Sequence, residues 1–231
     1  MQIPVTIFSL GDSAVTIELG QQIDPVANDR ALAIQQWLFK HPFDGMLEAV
    51  LAYSSLTIYY DPYIVKRNYQ PDTPVCRWVE DRLRKACNAA QAEAPKGALH
   101  RIPVYYGGDD LHDMANTKSL GLDEIIAIHS NRRYRVYMIG FLPGFAYLGK
   151  VDTRIATPRK LKPVTVAAGS VAIAGEQTGI YPLESPGGWN VVGMTPVTLF
   201  NGKAREPVFM KPGDEVEFYA ISKEEFQSAQ N

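Results

Sequence analysis

A chain of 231 residues with 46% apolar and 21% charged residues has the make-up of a globular protein of one or two domains. Its formal net charge of -2 argues against a dominant nucleic-acid footprint, and no apolar stretch reaches the length of a bilayer-crossing helix. The first residues lack a basic start and carry Asp12 and Glu18, so they read as strands rather than a secretory leader. Cys76 and Cys87 share one helical pattern whose rise sets them roughly 16 Å apart, beyond disulfide reach. Reduced thiols and a cytoplasmic location are the expectation.

Alternation at Val5, Ile7, Val15, Ile17 and Leu19 around Gly11-Asp12 predicts a β-hairpin. Asp24-Pro25 supplies an N-cap and a first-turn proline for a helix with an Ala27, Ala31, Ile34, Leu38 stripe, ending before Pro42. Residues 47–53 and 56–60 predict paired strands. Asp61-Pro62 interrupts the second, and a polar loop follows. Thr73-Pro74 opens a second helix with Val75, Val79, Leu83, Ala86 and Ala90 on one face. This order predicts a ferredoxin-like α+β unit, a sheet covered by two helices, over residues 1–95. Ala94-Pro95-Lys96-Gly97 reads as a linker, and residues 99–106 are placed as a final strand of that first sheet. Nothing in this half has catalytic spacing.

The second domain, residues 96–231, starts with a short helical segment containing Leu111 and Met114. A helix over residues 122–129 follows and ends at His129. There, the helix C-terminus can favour an imidazolium, and His129 is either a general base or a capping residue. Arg132, Arg133 and Arg135 precede the strand 136–139, and alternation puts Arg133 and Arg135 on one face of an extended segment, as an anion clamp or a solvated charged face. Arg154, Arg159, Lys160 and Lys162 form a second basic cluster, in which Pro158 makes Arg159 the better anion contact. Strands are expected at 164–166, 170–174, 180–183, 191–192, 195–200 and 216–220, the last after the turn Pro212-Gly213-Asp214. Many short strands with tight corners predict an antiparallel barrel. The four histidines have no zinc spacing, and Asp109-Asp110 reads as solvated rather than metal-binding. No serine sits in a hydrolase nucleophile elbow, and there is no nucleotide-binding glycine loop.

Glycine, proline and aromatic residues concentrate in one stretch. It runs through Gly140-Phe141-Leu142-Pro143-Gly144-Phe145-Ala146-Tyr147-Leu148-Gly149 and Ala168-Gly169-Ser170-Val171, with Gly175 after it. Gln177-Thr178-Gly179-Ile180-Tyr181-Pro182, Ser185-Pro186-Gly187-Gly188-Trp189 and Thr195-Pro196 complete it. In order and wording this series resembles the signature of the family of 5-oxoprolinase B subunits, also described as allophanate hydrolase subunit 1 or histidine-kinase-inhibitor-like proteins. The resemblance implies a cyclophilin-like β-barrel after the α+β domain. It further implies one part of a heteromeric hydrolase, which joins the C subunit of 5-oxoprolinase directly and needs the A subunit for the complete reaction. Together they open 5-oxo-L-proline to L-glutamate with hydrolysis of ATP, which the complex holds with its accompanying Mg2+ at a place the resemblance leaves open, and the chain alone is expected to show little activity. The alternatives are a regulator that binds and inhibits a sensor histidine kinase, and a component of an allophanate- or urea-processing complex. No nucleic-acid or membrane partner is implied.

Side-chain chemistry nominates His129, Arg159 and Gln177 as catalytic candidates. Phe141, Pro143, Gly144, Phe145, Tyr147, Ser170, Tyr181, Gly187, Gly188 and Trp189 are candidates for the substrate pocket. The chain departs from the family pattern at Ala167, where relatives often have proline, and at Val164 and Met194, where they commonly have arginine. The two arginine losses imply an altered anion site and substrate, or positions where the arginines of relatives serve packing or contacts between subunits.

Overall fold

The computed structural model describes residues 4–90 and 97–230. The chain divides into two compact units, Met1–Pro95 and Lys96–Asn231. Most of the expected linker, Ala94-Pro95-Lys96, lies outside the described residues.

In the first unit, β1 (Thr6–Ser9) and β2 (Ala14–Glu18) form the expected hairpin. Helix α1 (Pro25–Lys40) starts where Asp24 accepts a hydrogen bond from the Ala27 amide, with proline in the first turn. Strands β3 (Met46–Leu51) and β4 (Ser55–Tyr60) pair, and the antiparallel sheet runs β1-β2-β4-β3. Two more helices follow, α2 (Pro62–Tyr69) and α3 (Val75–Ala89). Ile17, Ile34, Leu38, Leu56, Ile58 and Leu83 are fully buried between sheet and helices.

Two expectations need correcting here. The described residues of the unit form three helices, because Asp61-Pro62 caps α2 as Asp24-Pro25 caps α1; Asp61 Oδ1 accepts from the amides of Tyr63 and Ile64. The run Lys66-Arg67-Asn68 hides this helix in the sequence, and it buries Val65 alone. Residues 99–106 supply no strand to this sheet. The edge beside β2 is taken by β1, which folds back through a short turn before any distant segment can compete.

Leu99–Val104 is instead β5, paired in parallel with β13 (Glu215–Ala220) in the second unit. The intervening elements are α4 (Leu111–Lys118), α5 (Leu122–Ser130), β6 (Arg133–Ile139), β7 (Ala146–Gly149), β8 (Val164–Val166), β9 (Ser170–Ala174), β10 (Gln177–Ile180), β11 (Ser185–Gly187) and β12 (Asn190–Met194). Seven strands form a sheet in the order β12-β9-β10-β7-β6-β13-β5, antiparallel except for the β13–β5 pair. Its two edges meet where Tyr105 and Met194 exchange main-chain hydrogen bonds of 2.8 and 2.9 Å, so the sheet nearly closes into a barrel. Strands β8 and β11 form a separate two-stranded ribbon.

The parallel pair corrects the all-antiparallel expectation. The Asp214 carboxylate, after the turn at Pro212-Gly213, accepts from the Ala98 amide and bonds the His100 ring, 2.9 Å each. That clamp starts β5 and β13 from the same end. Residues 195–200 make no strand beyond a Phe200–Val208 bridge, since Pro196 removes a ladder donor. The third expected strand ends at Ile180, before Pro182. A terminal helix, α6 (Lys223–Ala229), is opened by a reciprocal Ser222–Glu225 capping box.

Candidate functional site

The loop between β6 and β7 folds through two tight turns. The Leu142 amide donates to the Gly140 carbonyl at 2.9 Å around Phe141, whose φ is 69°, a γ-turn of the rare positive-φ kind. The Phe145 amide then donates to the Leu142 carbonyl at 3.0 Å, with Pro143 and Gly144 at the corners. Gly144 has φ 83°, the value a type II turn demands, and a Cβ there would meet the Leu199 carbonyl. The turns push Phe141 outward, 63% exposed, and drive Phe145 inward to 1%.

Phe145 is the hub of an aromatic cluster. Its ring meets Phe141, Tyr147, Tyr181 and Trp189 edge-on, at centroid distances of 5.7, 4.8, 5.1 and 5.4 Å. Gly187 is required opposite Tyr181, because a side chain there would collide with the phenol hydroxyl. These rings, together with Arg159, Pro163, Pro186, Gly187 and Gly188, line a pocket of about 240 Å3. It is smaller than the roughly 300–1,000 Å3 of drug-sized ligand sites.

Of the expected site residues, the structure therefore brings together Phe141, Phe145, Tyr147, Arg159, Tyr181, Gly187, Gly188 and Trp189. Pro143 and Gly144 shape the loop without lining the pocket. Ser170 is buried at the start of β9, its carbonyl accepting from the Tyr181 amide. Gln177 stands at the far end of β10, paired with Gly149 and Ala174. Pro163 and Pro186 join the wall although neither is among the expected pocket residues; Pro186 lies inside the signature series, beside Gly187.

His129 is also elsewhere. Its ring is fully buried, with Nδ1 2.8 Å from the Tyr106 hydroxyl, Nε2 2.9 Å from Thr178 Oγ1, and Phe218 stacked on it at 4.7 Å. Burial pushes its pKa down to about 3, so the ring is neutral. Desolvation outweighs the attraction that a helix end can exert on an imidazolium.

Charge at the pocket resolves onto one group. Arg154 is held by Asp152 through two 3.0 Å hydrogen bonds, and Lys160 by Asp110 at 2.7 Å. Asp110 also accepts from the Val191 amide, and the Lys160 amide donates to the Gly188 carbonyl. Arg159 has no carboxylate partner among the described residues; its guanidinium lies over the Trp189 ring at 5.8 Å. Burial raises the Tyr147 and Tyr181 phenol pKa values and Arg159 partly opposes it, so both stay protonated at neutral pH. A wider cleft of about 630 Å3 at Arg101, Arg132, Arg133, Glu217 and Tyr219 is a weaker candidate. There, Arg133 is engaged by Glu215 and Glu217, and Arg101 by Glu217.

Comparison with known proteins decides the family. The family model described as "Carboxyltransferase domain, subdomain C and D" matches residues 5–210. The B subunit of 5-oxoprolinase from Bacillus subtilis (strain 168) is 39% identical over 237 residues, 99% of this chain and 98% of that one. The chain belongs to the family of 5-oxoprolinase B subunits. A second member, from Escherichia coli O157:H7, is 34% identical over 215 residues, 91% of this chain and 94% of that one. Among solved structures, TTHA0988 superposes with a TM-score of 0.79 at 37% identity over 90% of this chain. The present chain spans 40% of that protein, so the B-subunit fold occurs there within a longer polypeptide.

Proposed function

We propose that this chain is the B subunit of an ATP-dependent 5-oxoprolinase, and that the aromatic pocket holds the lactam ring of 5-oxo-L-proline. The observation that carries this reading is the pocket itself: a small, largely apolar pocket with one uncompensated cation, Arg159, built mostly from the segments that define the family resemblance. Relatives named as 5-oxoprolinase B subunits match it nearly end to end. The name of those relatives fits a heteromeric enzyme, in which this chain joins the C subunit directly and the A subunit completes the reaction.

The pocket does not fit a nucleoside triphosphate. It offers a single cation, and no group of three His, Cys, Asp or Glu side chains able to hold a metal occurs among the described residues. We therefore assign ATP and its Mg2+ to another part of the complex. This chain's share is to bind the ring, orient it against Trp189 and Phe145, and keep water from its face. Free Cys76 and Cys87 fit a reducing, cytoplasmic setting.

Purified chain mixed with the A and C subunits should show 5-oxoproline-dependent release of phosphate from ATP, and omission of the chain should abolish it. A stable complex of all three polypeptides with no gain over the other two alone would contradict the proposal.

A further inference from the structure

We infer that Arg159 is a specificity residue rather than a catalytic one: it takes the carboxylate of a small cyclic amide, so that the pocket selects anionic rings over neutral ones. The inference rests on the reading of the chain as part of a 5-oxoprolinase, which it deepens.

Elimination singles out Arg159. Of the basic residues gathered at 154–162, Arg154 is occupied by Asp152 and Lys160 by Asp110, while Lys162 is exposed and lies outside the pocket wall. Arg159 alone combines a place in the wall with no carboxylate partner among the described residues. The Trp189 face holds its guanidinium without neutralising it, since a ring quadrupole attracts a cation but carries no net charge. A planar fork of donors matches a carboxylate in two hydrogen bonds. Charge balance fixes the ligand class. One cation in a largely apolar pocket of about 240 Å3 suits a monoanion on a small flat ring. A phosphoryl group bears more charge and would leave part of it desolvated and unpaired. The tyrosine hydroxyls beside Arg159 stay protonated and add no competing negative charge.

The test is steady-state kinetics of the reconstituted complex with 5-oxoproline and with 2-pyrrolidinone, the same ring without the carboxylate. Inorganic phosphate serves as a competitor. Arg159→Gln should raise KM for 5-oxoproline about 10- to 100-fold, as expected for loss of a charge-assisted pair, with kcat within about twofold. Discrimination against 2-pyrrolidinone should collapse, Arg159→Lys should recover part of it, and Lys162→Gln should change nothing. Unchanged KM in Arg159→Gln, with the wild-type complex active, would overturn the inference and leave the proposed function standing. A fall in kcat at constant KM, or competition by phosphate that depends on Arg159, would overturn it in favour of a phosphoryl contact. If the wild-type complex does not turn over at all, calorimetry on the full chain decides separately. Binding of 5-oxoproline but not 2-pyrrolidinone, lost in Arg159→Gln, would uphold the inference while the proposed function fails.

Discussion

His129 and Arg159 show how one side chain's surroundings set its role. In the sequence the two look alike, as polar groups near the glycine-rich stretch. Burial leaves His129 neutral between two hydroxyls, whereas the Arg159 guanidinium lies over the Trp189 ring in the pocket wall. The His129 environment has a consequence for stability. Its folded pKa, about 3, lies below the ordinary histidine value, so the unfolded chain binds a proton that the folded chain refuses. Stability from this group is complete above the unfolded pKa and falls as pH drops toward the folded one, by about 1.4 kcal/mol per pH unit for one proton. Urea unfolding at pH 7.5 and pH 5 should therefore show an acid loss that His129→Gln reduces. Equal pH dependence in both proteins would mean that the ring is not held neutral. Nothing in the linear sequence reveals this, because the partners Tyr106 and Thr178 are brought in by distant parts of the chain.

At the scale of elements, local chemistry is readable wherever a short-range signal acts alone. Asp24-Pro25 starts α1 as expected, and the Gly11-Asp12 hairpin forms. Asp61-Pro62 carries the same signal for α2, but without an apolar stripe behind it the helix reads as a loop. Long-range pairing is the harder part. Residues 99–104 have a strand pattern that is silent about which sheet receives it, and the Asp214 clamp that decides is more than a hundred residues away in sequence. The loop at 140–145 belongs to the readable group, since proline followed by glycine announces its second turn. Gly144→Ala should destabilise the protein by about 1–3 kcal/mol through backbone strain at positive φ and contact with the Leu199 carbonyl. Chemical denaturation measures it, and a change within about 0.5 kcal/mol would show that the turn relaxes without strain.

For the molecule as a whole, the pocket draws on three stretches, 141–147, 159–163 and 181–189, which the folded second unit gathers around Phe145. The aromatic and glycine members are visible in the sequence because each marks a special backbone point or a large apolar ring. The wall positions of Pro163 and Pro186 are not, since a proline looks the same in the sequence whether or not it faces a ligand, even when, like Pro186 in β11, it lies inside the motif. Gln177 and Ser170 sit inside the motif yet fall outside the wall, because a motif records spacing along strands and not which end of a strand meets the cavity.

The most direct test of the account is a crystal structure of the complete heteromeric enzyme with 5-oxo-L-proline bound. It should show the lactam ring against Trp189 and Phe145 with its carboxylate on the Arg159 guanidinium. A ring bound anywhere else, with this aromatic pocket filled by a partner's side chains, would contradict it.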